Sequence, residues 1–413
     1  MKKRILPSGV SGLLQAPPSK SVAQRAIAMA AMADGVSEIG HPGNCDDVIA
    51  AIDVCKTLGA EIRRQGENLL IRGGLRLPDA PLFCGESGLG MRMFAGLAAS
   101  FSDKVMLTGT GSLLKRPMQA VVDSLTPLGV SCTTSEGYPP VMVKGPLKGG
   151  EATIDGTSGS QILTGILMAS PFAMSDTFLT VNGLKSKPYI DLTLEVMRAF
   201  GVEANNNNYE SFFIRSGQQY RACRFRVEGD WSGAAFMLVA GAIAGKVTLT
   251  GLNPLSVQAD KKITEALKLA GARLVQGSDN ITTEKTDMKG FSFDATDAPD
   301  LFPPLVSLAA HCSGTSRIKG IHRLRTKESD RAATLMETFG RIGITITSEA
   351  DYMIVHGGRV HPAVIHSHGD HRIAMAGAVA ALAGSGEVHI EGAEAVNKSY
   401  PGFFKDLEKI STL

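Results

Sequence analysis

Residues 54–62 read VCKTLGAEI, an amphipathic helix tail closed by Gly59 and followed at once by a strand-like run. Glycine just past a helical pattern acts as a C-terminal stop, because it enters the left-handed region without steric cost. The same design returns as DSLTPLGVSC (123–132), VMRAFGVEA (196–204), ALKLAGARL (266–274) and TFGRIGITI (338–346). The closing residues, Gly59, Gly129, Gly201, Gly271 and Gly343, are 70, 72, 70 and 72 residues apart. One further step ends at SYPGFFKDLEKI (399–410), which reads as a last helix that needs no following strand.

Between these segments runs a second series rich in small residues: SVAQRAIAMAAMADG, GMRMFAGLAASF, SQILTGILMASPF, WSGAAFMLVAGAIAG, PPLVSLAAHCSG and HRIAMAGAVAALAG. Helices apolar nearly all round belong inside a core, whereas the glycine-closed helices, charged on one side, belong outside. Branched or alternating runs such as NLLIRGG, VMLTGTG, TFLTVNG, KVTLTGL and YMIVHGG read as strands. NNNNY (205–209) reads as a hairpin turn between two of them. Six units of about 70 residues divide into two domains of three, with the chain crossing near residues 12–19 and 224–229. An N-terminal strand then belongs to the second domain.

A chain of 413 residues exceeds the size at which one core keeps growing, in keeping with two domains. Its 42 basic and 40 acidic residues leave a net charge of +2, so no global field recruits a polyanion or an anionic membrane. Any anion must be held by a local cluster. The six cysteines, Cys45, Cys55, Cys84, Cys132, Cys223 and Cys312, form no C-x-x-C pair and read as reduced, mostly buried thiols. The basic start MKKRILPSGVSGLLQ is interrupted by Pro7, Gly9 and Gly12 before it reaches signal-peptide length, and no apolar run of membrane-spanning length follows. A cytoplasmic location is expected.

Basic residues gather at or just before helix starts: Lys20 and Arg25 in PPSKSVAQR, Arg92 in GESGLGMR, Arg116 in LLKRPM, Lys187 in SKPYID, Lys327 and Arg331 in RTKESDR, Arg372 in GDHRIAM, Lys398 in NKSYPG. A helix start presents unpaired amides and partial positive charge, so a flanking cation makes an anion site there but does nothing for helix stability. Ser21 and Arg25, and likewise Lys327 and Arg331, are four apart and are expected to share a helix face. Recurrence in different repeats points to a compact, multiply charged ligand gripped by Arg forks and by Lys, which also moves protons when its pKa falls.

Acidic residues near these starts are few. Asp300 precedes a buried helix, and Glu328 lies between Lys327 and Arg331, where it serves either as an i,i+3 ion-pair partner or in proton transfer. Asp47 and Asp230 read as helix caps. His371 reads as an orienting hydrogen-bond partner beside Arg372. No His and acid spacing suggests a metal site, and neither a G-x-S-x-G nor a P-loop pattern occurs.

At these residues the chain resembles the 5-enolpyruvylshikimate-3-phosphate synthase family over essentially its full length. PPSKSVAQRA is similar to the family's opening PGSKS-x-x-x-RA, and LLKRPM, SGSQ, SKPYID, VEGD, KESDR, DHRIAM and NKSYPGFF follow in family order. The resemblance implies transfer of the enolpyruvyl group of phosphoenolpyruvate to the 5-hydroxyl of shikimate 3-phosphate, with release of phosphate. It implies an α/β fold of two similar domains, residues 19–228 on the shikimate 3-phosphate side and residues 1–18 with 229–413. Each would consist of three βαβαββ repeats with buried helices and outer sheets, an inside-out α/β barrel, and the active site would lie in the cleft between the domains. No metal, organic cofactor, nucleic acid or membrane is implied, and a monomer is expected.

Carried over by motif, Lys20, Ser21, Arg25, Ser160, Gln161, Ser186, Asp300 and Lys327 should hold shikimate 3-phosphate. Lys20, Gly88, Arg92, Arg116, Gln161, Arg331, Arg372 and Lys398 should surround phosphoenolpyruvate. Lys20, Asp300 and Glu328 are the implied catalytic residues, Asp300 near the hydroxyl and Glu328 near the methylene carbon. Gly88 is expected to leave the neighbouring space free of a side chain.

Three positions depart from the family pattern. Glu86-Ser87-Gly88-Leu89-Gly90-Met91-Arg92 stands where N-A-G-T-A-M-R is common, so a carboxylate must turn away from a phosphate site. Gly159 replaces a serine, and Arg323 stands at a common asparagine, adding charge or pointing outward. The related transfer to a UDP-amino sugar usually begins its site with Lys-Asn, against Lys20-Ser21 here, and carries a cysteine beside the R-P segment that LLKRPM lacks. A noncatalytic anion- or nucleic-acid-binding repeat protein predicts a basic face with interleaved aromatics, against one tryptophan, six tyrosines and near-neutral charge.

Overall fold

Alternation of two kinds of helix organises the chain. The computed structural model describes residues 1–412. Its α-helices are α1 (Lys20–Met32), α2 (Asp46–Thr57), α3 (Gly88–Ala98), α4 (Gln119–Leu125), α5 (Gln161–Ala169), α6 (Pro188–Ala199), α7 (Trp231–Ala244), α8 (Ile263–Ala270), α9 (Phe302–Ala310), α10 (Arg331–Arg341), α11 (His371–Leu382) and α12 (Phe403–Ile410). The odd-numbered helices are the small-residue series. Every residue of α7, α9 and α11 is buried, and in α1 only Lys20 and Ser21 are not. The even-numbered helices bury one face only, as in α10, where Thr334, Leu335, Thr338 and Phe339 face inward.

The glycine stops have the conformation their role requires. Gly59, Gly129, Gly201, Gly271 and Gly343 have φ of 104°, 80°, 80°, 88° and 88°, the left-handed region that a Cβ disfavours. A short strand follows each one, and it joins a sheet one of whose faces is buried. In Thr177–Asn182 burial alternates strictly along the strand, as a sheet covered on one side requires.

The chain splits into two compact units, Pro18–Val227 and Met1–Pro17 with Glu228–Leu413. The first has three four-stranded sheets. In one, Leu82–Phe83 runs parallel to Lys104–Thr108, which is antiparallel to Tyr138–Lys144, which in turn is antiparallel to Ser131–Ser135. The sheets around Thr177–Asn182 and Val36–Gly40 repeat that order, with Gly150–Asp155 and Arg224–Arg226 as their parallel edges. In the second unit the order recurs around Gly245–Thr250 and Thr315–Lys319. Gly9–Gln15 is the parallel partner of Gly245–Thr250. The third sheet of that unit has three strands, Lys2–Ile5, Val388–Glu391 and Ala363–His366.

One local expectation shifts. Asn205–Asn207 is itself a strand, antiparallel to Ser211–Ile214, and the turn falls at residues 208–210. Asn208 and Tyr209 carry the positive φ values, 51° and 63°. Asparagine tolerates that region, so the last Asn of the run sits in the turn while the first three form the strand before it.

Candidate functional site

In unit Pro18–Val227 the odd helices begin without acidic residues. None of α1, α3 and α5 has an acid in its first turn, so the partial positive charge of each start is uncompensated there. Side chains then tie these starts together. Arg25, on α1 and 1% exposed, donates through Nε to Thr193 Oγ1 of α6 at 2.9 Å and through Nη2 to Thr164 Oγ1 of α5 at 3.3 Å. Its Nη1 donates to the Ser21 carbonyl at 2.9 Å and Nη2 also to the Tyr189 carbonyl at 3.3 Å. Burial pushes the Arg25 guanidinium down to about 10, which still leaves it charged at neutral pH. Ser87 caps α3: its Oγ accepts from Gly90 N at 3.0 Å and donates to Gln24 Oε1 of α1 at 2.8 Å.

Four of the predicted residues meet at the start of α3. Arg92 Nη1 donates to the Gly88 carbonyl and to Gln161 Oε1, both at 3.1 Å, and Nη2 donates to the Pro117 carbonyl at 2.9 Å. Arg116, 7% exposed, lays its guanidinium against Gly88, where a Cβ would stand 2.1 Å from Nη1. The expectation that Gly88 leaves free space is therefore corrected, since the missing side chain is what makes room for Arg116. Ser160 precedes α5 and is buried. Ser186 is buried one residue before the N-cap of α6, Lys187, and takes φ of 59°, a strained conformation for a residue with a Cβ.

Lys20, the first residue of α1, donates from Nζ to Asp47 Oδ2 at 2.9 Å, and Asp47 is buried. Cys45, not Asp47, is the N-cap of α2, and Asp47 is the second residue of that helix. Its reading as a cap is thus corrected: it is the counter-ion of Lys20. Asp230 does cap α7, accepting from Ser232 N at 3.1 Å. Glu86 turns toward Ser112, accepting from its N at 3.1 Å and its Oγ at 2.6 Å. Gly159 takes φ of 124°, which explains glycine where a serine is common.

The second unit carries a denser cluster. Arg331, the first residue of α10, is fully buried and faces three carboxylates. Nε donates to Asp370 Oδ2 at 2.9 Å, Nη1 to Asp300 Oδ1 at 2.9 Å, and Nη2 to Glu328 Oε2 at 2.6 Å. Lys327 Nζ lies 3.3 Å from Asp300 Oδ1, and Arg372 Nη2 lies 3.2 Å from Asp300 Oδ2. Lys398 Nζ is 3.9 Å from Glu328 Oε1. Lys327 and Glu328 sit in a bend ahead of α10, so the expected helix face shared by Lys327 and Arg331 is not formed. Asp300 brings those two cations together instead. Arg323 is buried, not outward-pointing, and feels the charges of Asp297 and Asp300.

Electrostatics follow from this crowding. Burial works against ionisation of Asp300, but Arg372, Lys327 and Arg331 overcome it and hold the carboxyl well below its usual range. Burial lowers the Lys327 ammonium, with Asp300 opposing. For Arg331 burial also favours loss of charge, and the charges of Asp370, Glu328 and Asp300 outweigh it. The residue that sequence reading missed is Asp370. It caps α11, accepting from Arg372 N at 2.9 Å, and takes two donors of Arg331. An Asp directly before the apolar run HRIAM was a legible cap signal, but its pairing with Arg331 was not. Among the described residues no group of three His, Cys, Asp or Glu could hold a metal ion, and no helix is long and apolar enough to cross a membrane.

Helix starts crowded by Lys and Arg, with Asp300, Glu328 and Asp370 paired among them in the second unit, define the class: an α/β protein whose cations are gathered into local clusters suited to compact anions. Within that class the chain belongs to the EPSP synthase (3-phosphoshikimate 1-carboxyvinyltransferase) family, whose model matches residues 6–407. It is 36% identical over 416 residues to a 3-phosphoshikimate 1-carboxyvinyltransferase of Methanocorpusculum labreanum, covering 99% of this chain and 98% of that one. EPSP synthase from Acinetobacter baumannii superposes with a TM-score of 0.83 at 28% identity, covering 99% of this chain and 98% of the other. The enolpyruvyl transferase NikO from Streptomyces tendae shares the fold, with a TM-score of 0.80 at 17% identity, covering 99% of this chain and 97% of the other.

Proposed function

We propose that this chain transfers the enolpyruvyl group of phosphoenolpyruvate to the 5-hydroxyl of shikimate 3-phosphate, releasing phosphate, in the shikimate route to aromatic amino acids. The observation that carries this reading is the match to enzymes of that name along almost the whole chain. Both units are read as three βαβαββ repeats in an inside-out barrel. The recurring order of one parallel and two antiparallel strand pairs supports that reading, as does the alternation of buried and half-buried helices.

Lys20, Ser21, Arg25, Ser160, Gln161, Ser186, Asp300 and Lys327 hold shikimate 3-phosphate. Lys20, Gly88, Arg92, Arg116, Gln161, Arg331, Arg372 and Lys398 surround phosphoenolpyruvate. Each substrate brings a phosphate and a carboxylate, so several negative charges must be neutralised together, and Arg forks at helix starts suit that task.

The reaction then needs protons moved both ways. In the addition, the 5-hydroxyl oxygen bonds to the central carbon of phosphoenolpyruvate, the hydroxyl proton leaves to a base, and the methylene carbon takes a proton to become a methyl. In the elimination, the bond to the phosphate oxygen breaks, phosphate takes a proton, and the methyl group returns one to a base as the double bond forms again. Asp300 takes the hydroxyl proton, Glu328 serves the methylene carbon, and Lys20 is the remaining donor. Three cations make Asp300 a weak base while they contact it. Substrate anions that draw those cations away raise its basicity, which links proton abstraction to substrate binding.

A phosphate-release assay with purified protein tests the reading. Release from phosphoenolpyruvate is expected with shikimate 3-phosphate and not with a UDP-amino sugar. No release with shikimate 3-phosphate would sink it. A cytoplasmic monomer is the proposed form, to be checked by cell fractionation and light scattering.

A further inference from the structure

Glu86 is a carboxylate placed among the helix starts of an anion-gripping unit, and its partners show what it does there. Residues Gly111–Lys115 form a 3-10 helix whose N-cap, Thr110, makes no side-chain cap hydrogen bond. Glu86 takes over that role from a distant segment, accepting from Ser112 N at 3.1 Å and Ser112 Oγ at 2.6 Å. Early amides of a helix have no partner within it, and a carboxylate accepting two donors there makes a charge-assisted, two-point contact.

The short helix runs directly into Arg116, whose N–H donates to the Leu113 carbonyl at 3.0 Å. Two further bonds pin the same loop to the start of α3: Thr110 N to the Gly85 carbonyl at 2.9 Å, and Arg92 Nη2 to the Pro117 carbonyl at 2.9 Å. Arg116 leaves this clamped loop to lie against Gly88. Gly111 completes the seat. Its φ is 56°, and a Cβ there would stand 2.2 Å from Glu86 Oε1. The residue is glycine on two independent grounds, and one of them is the Glu86 carboxylate.

We infer that Glu86 is a positioning residue for Arg116: by clamping the Gly111–Lys115 segment to the start of α3, it sets the affinity for phosphoenolpyruvate. This rests on the reading of Arg116 as a phosphoenolpyruvate ligand. Glu86 holds Ser112 of the segment that leads into Arg116, so its loss is expected to act on phosphoenolpyruvate and not on shikimate 3-phosphate.

Wild-type turnover is measured first, and its absence would sink the functional reading and the inference with it. With wild type active, Glu86→Ala and Gly111→Ala are each expected to raise KM for phosphoenolpyruvate about tenfold, on the scale of a small misplacement of a binding group. KM for shikimate 3-phosphate should stay within about twofold. Glu86→Gln keeps an acceptor for Ser112 and should stay within about threefold of wild type for both substrates. A KM for phosphoenolpyruvate unmoved in Glu86→Ala, both KM values rising together, or Glu86→Gln failing as badly as Glu86→Ala would each overturn the inference. Should Glu86→Ala not fold, Gly111→Ala carries the same expectations.

Discussion

Arg331 and Asp370 form a two-point pair at the heart of the second unit, with Nε to Oδ2 at 2.9 Å and Nη2 to Oδ1 at 3.3 Å, neither side chain exposed. Asp370 also caps α11 through Arg372 N. One carboxylate therefore sets two arginines, the first by its charge and the second by fixing where its helix begins. Asp370 is wholly buried, accepting from Arg331, from Arg372 N and from Ser329 Oγ, which leaves Asp300 and Glu328 as the carboxylates of the cluster with some exposure, at 22% and 11% of their side chains.

Asp370→Ala is expected to destabilise the protein by about 1–3 kcal/mol, because Arg331 Nε loses its buried acceptor while Asp300 and Glu328 still answer the charge. Loss of the cap adds about 1 kcal/mol. Urea unfolding with an unchanged slope and a lower midpoint checks this, and a midpoint equal to wild type would refute it.

Lys20→Met and Glu328→Gln are expected to lower turnover about 10²-fold or more while the circular dichroism spectrum stays unchanged, as befits groups that move protons. Glu328→Gln keeps an acceptor for Arg331 Nη2, so its loss of rate would not come from collapse of the cluster. Normal rates in either variant would remove that residue from the catalytic assignment.

Gly88→Ala inserts a methyl group 2.1 Å from Arg116 Nη1, a distance no Cβ tolerates. Arg116 must move, and the outcome is a raised KM for phosphoenolpyruvate, about tenfold or more, with little change for shikimate 3-phosphate. Substrate titrations at saturating co-substrate read the two separately. Equal effects on both would show that the helix start as a whole had been lost.

Asp300 titrates well below its ordinary 3.8, so at acid pH the folded state binds fewer protons there than the unfolded chain. Its contribution to stability is complete above the unfolded value and is lost as pH falls through the lower folded value. The stability difference between wild type and Asp300→Asn should accordingly be flat from about pH 5 to 8 and shrink below about pH 4. Urea midpoints across that range test it, and a difference that grows toward acid pH would contradict it.

Much of the fold was legible because its signals are local. Gly59 and its four counterparts announce helix ends through a backbone conformation that depends on one residue. The contrast between WSGAAFMLVAGAIA, wholly buried, and RAATLMETFGR, buried on one face, is written in each segment's own periodicity. The cations of the candidate site were legible for the same reason, since Lys20, Arg92, Arg331 and Arg372 stand at or near helix starts whatever packs against them.

Partners were not legible, because they are chosen across the chain. Lys20 meets Asp47 over 27 positions, Ser112 meets Glu86 over 26, and Arg331 meets Asp370 over 39. Asp47 looked like a cap, Glu86 like a misplaced charge, and Gly88 like an open space. Packing decides otherwise: burial strips water from each charge, and a desolvated charge is tolerated only where the fold delivers a counter-charge or hydrogen-bonding acceptors to it. Sequence thus specified which helices would be buried and which cations would stand at their starts, while the tertiary structure selected the carboxylate, hydroxyl or carbonyl each cation answers to.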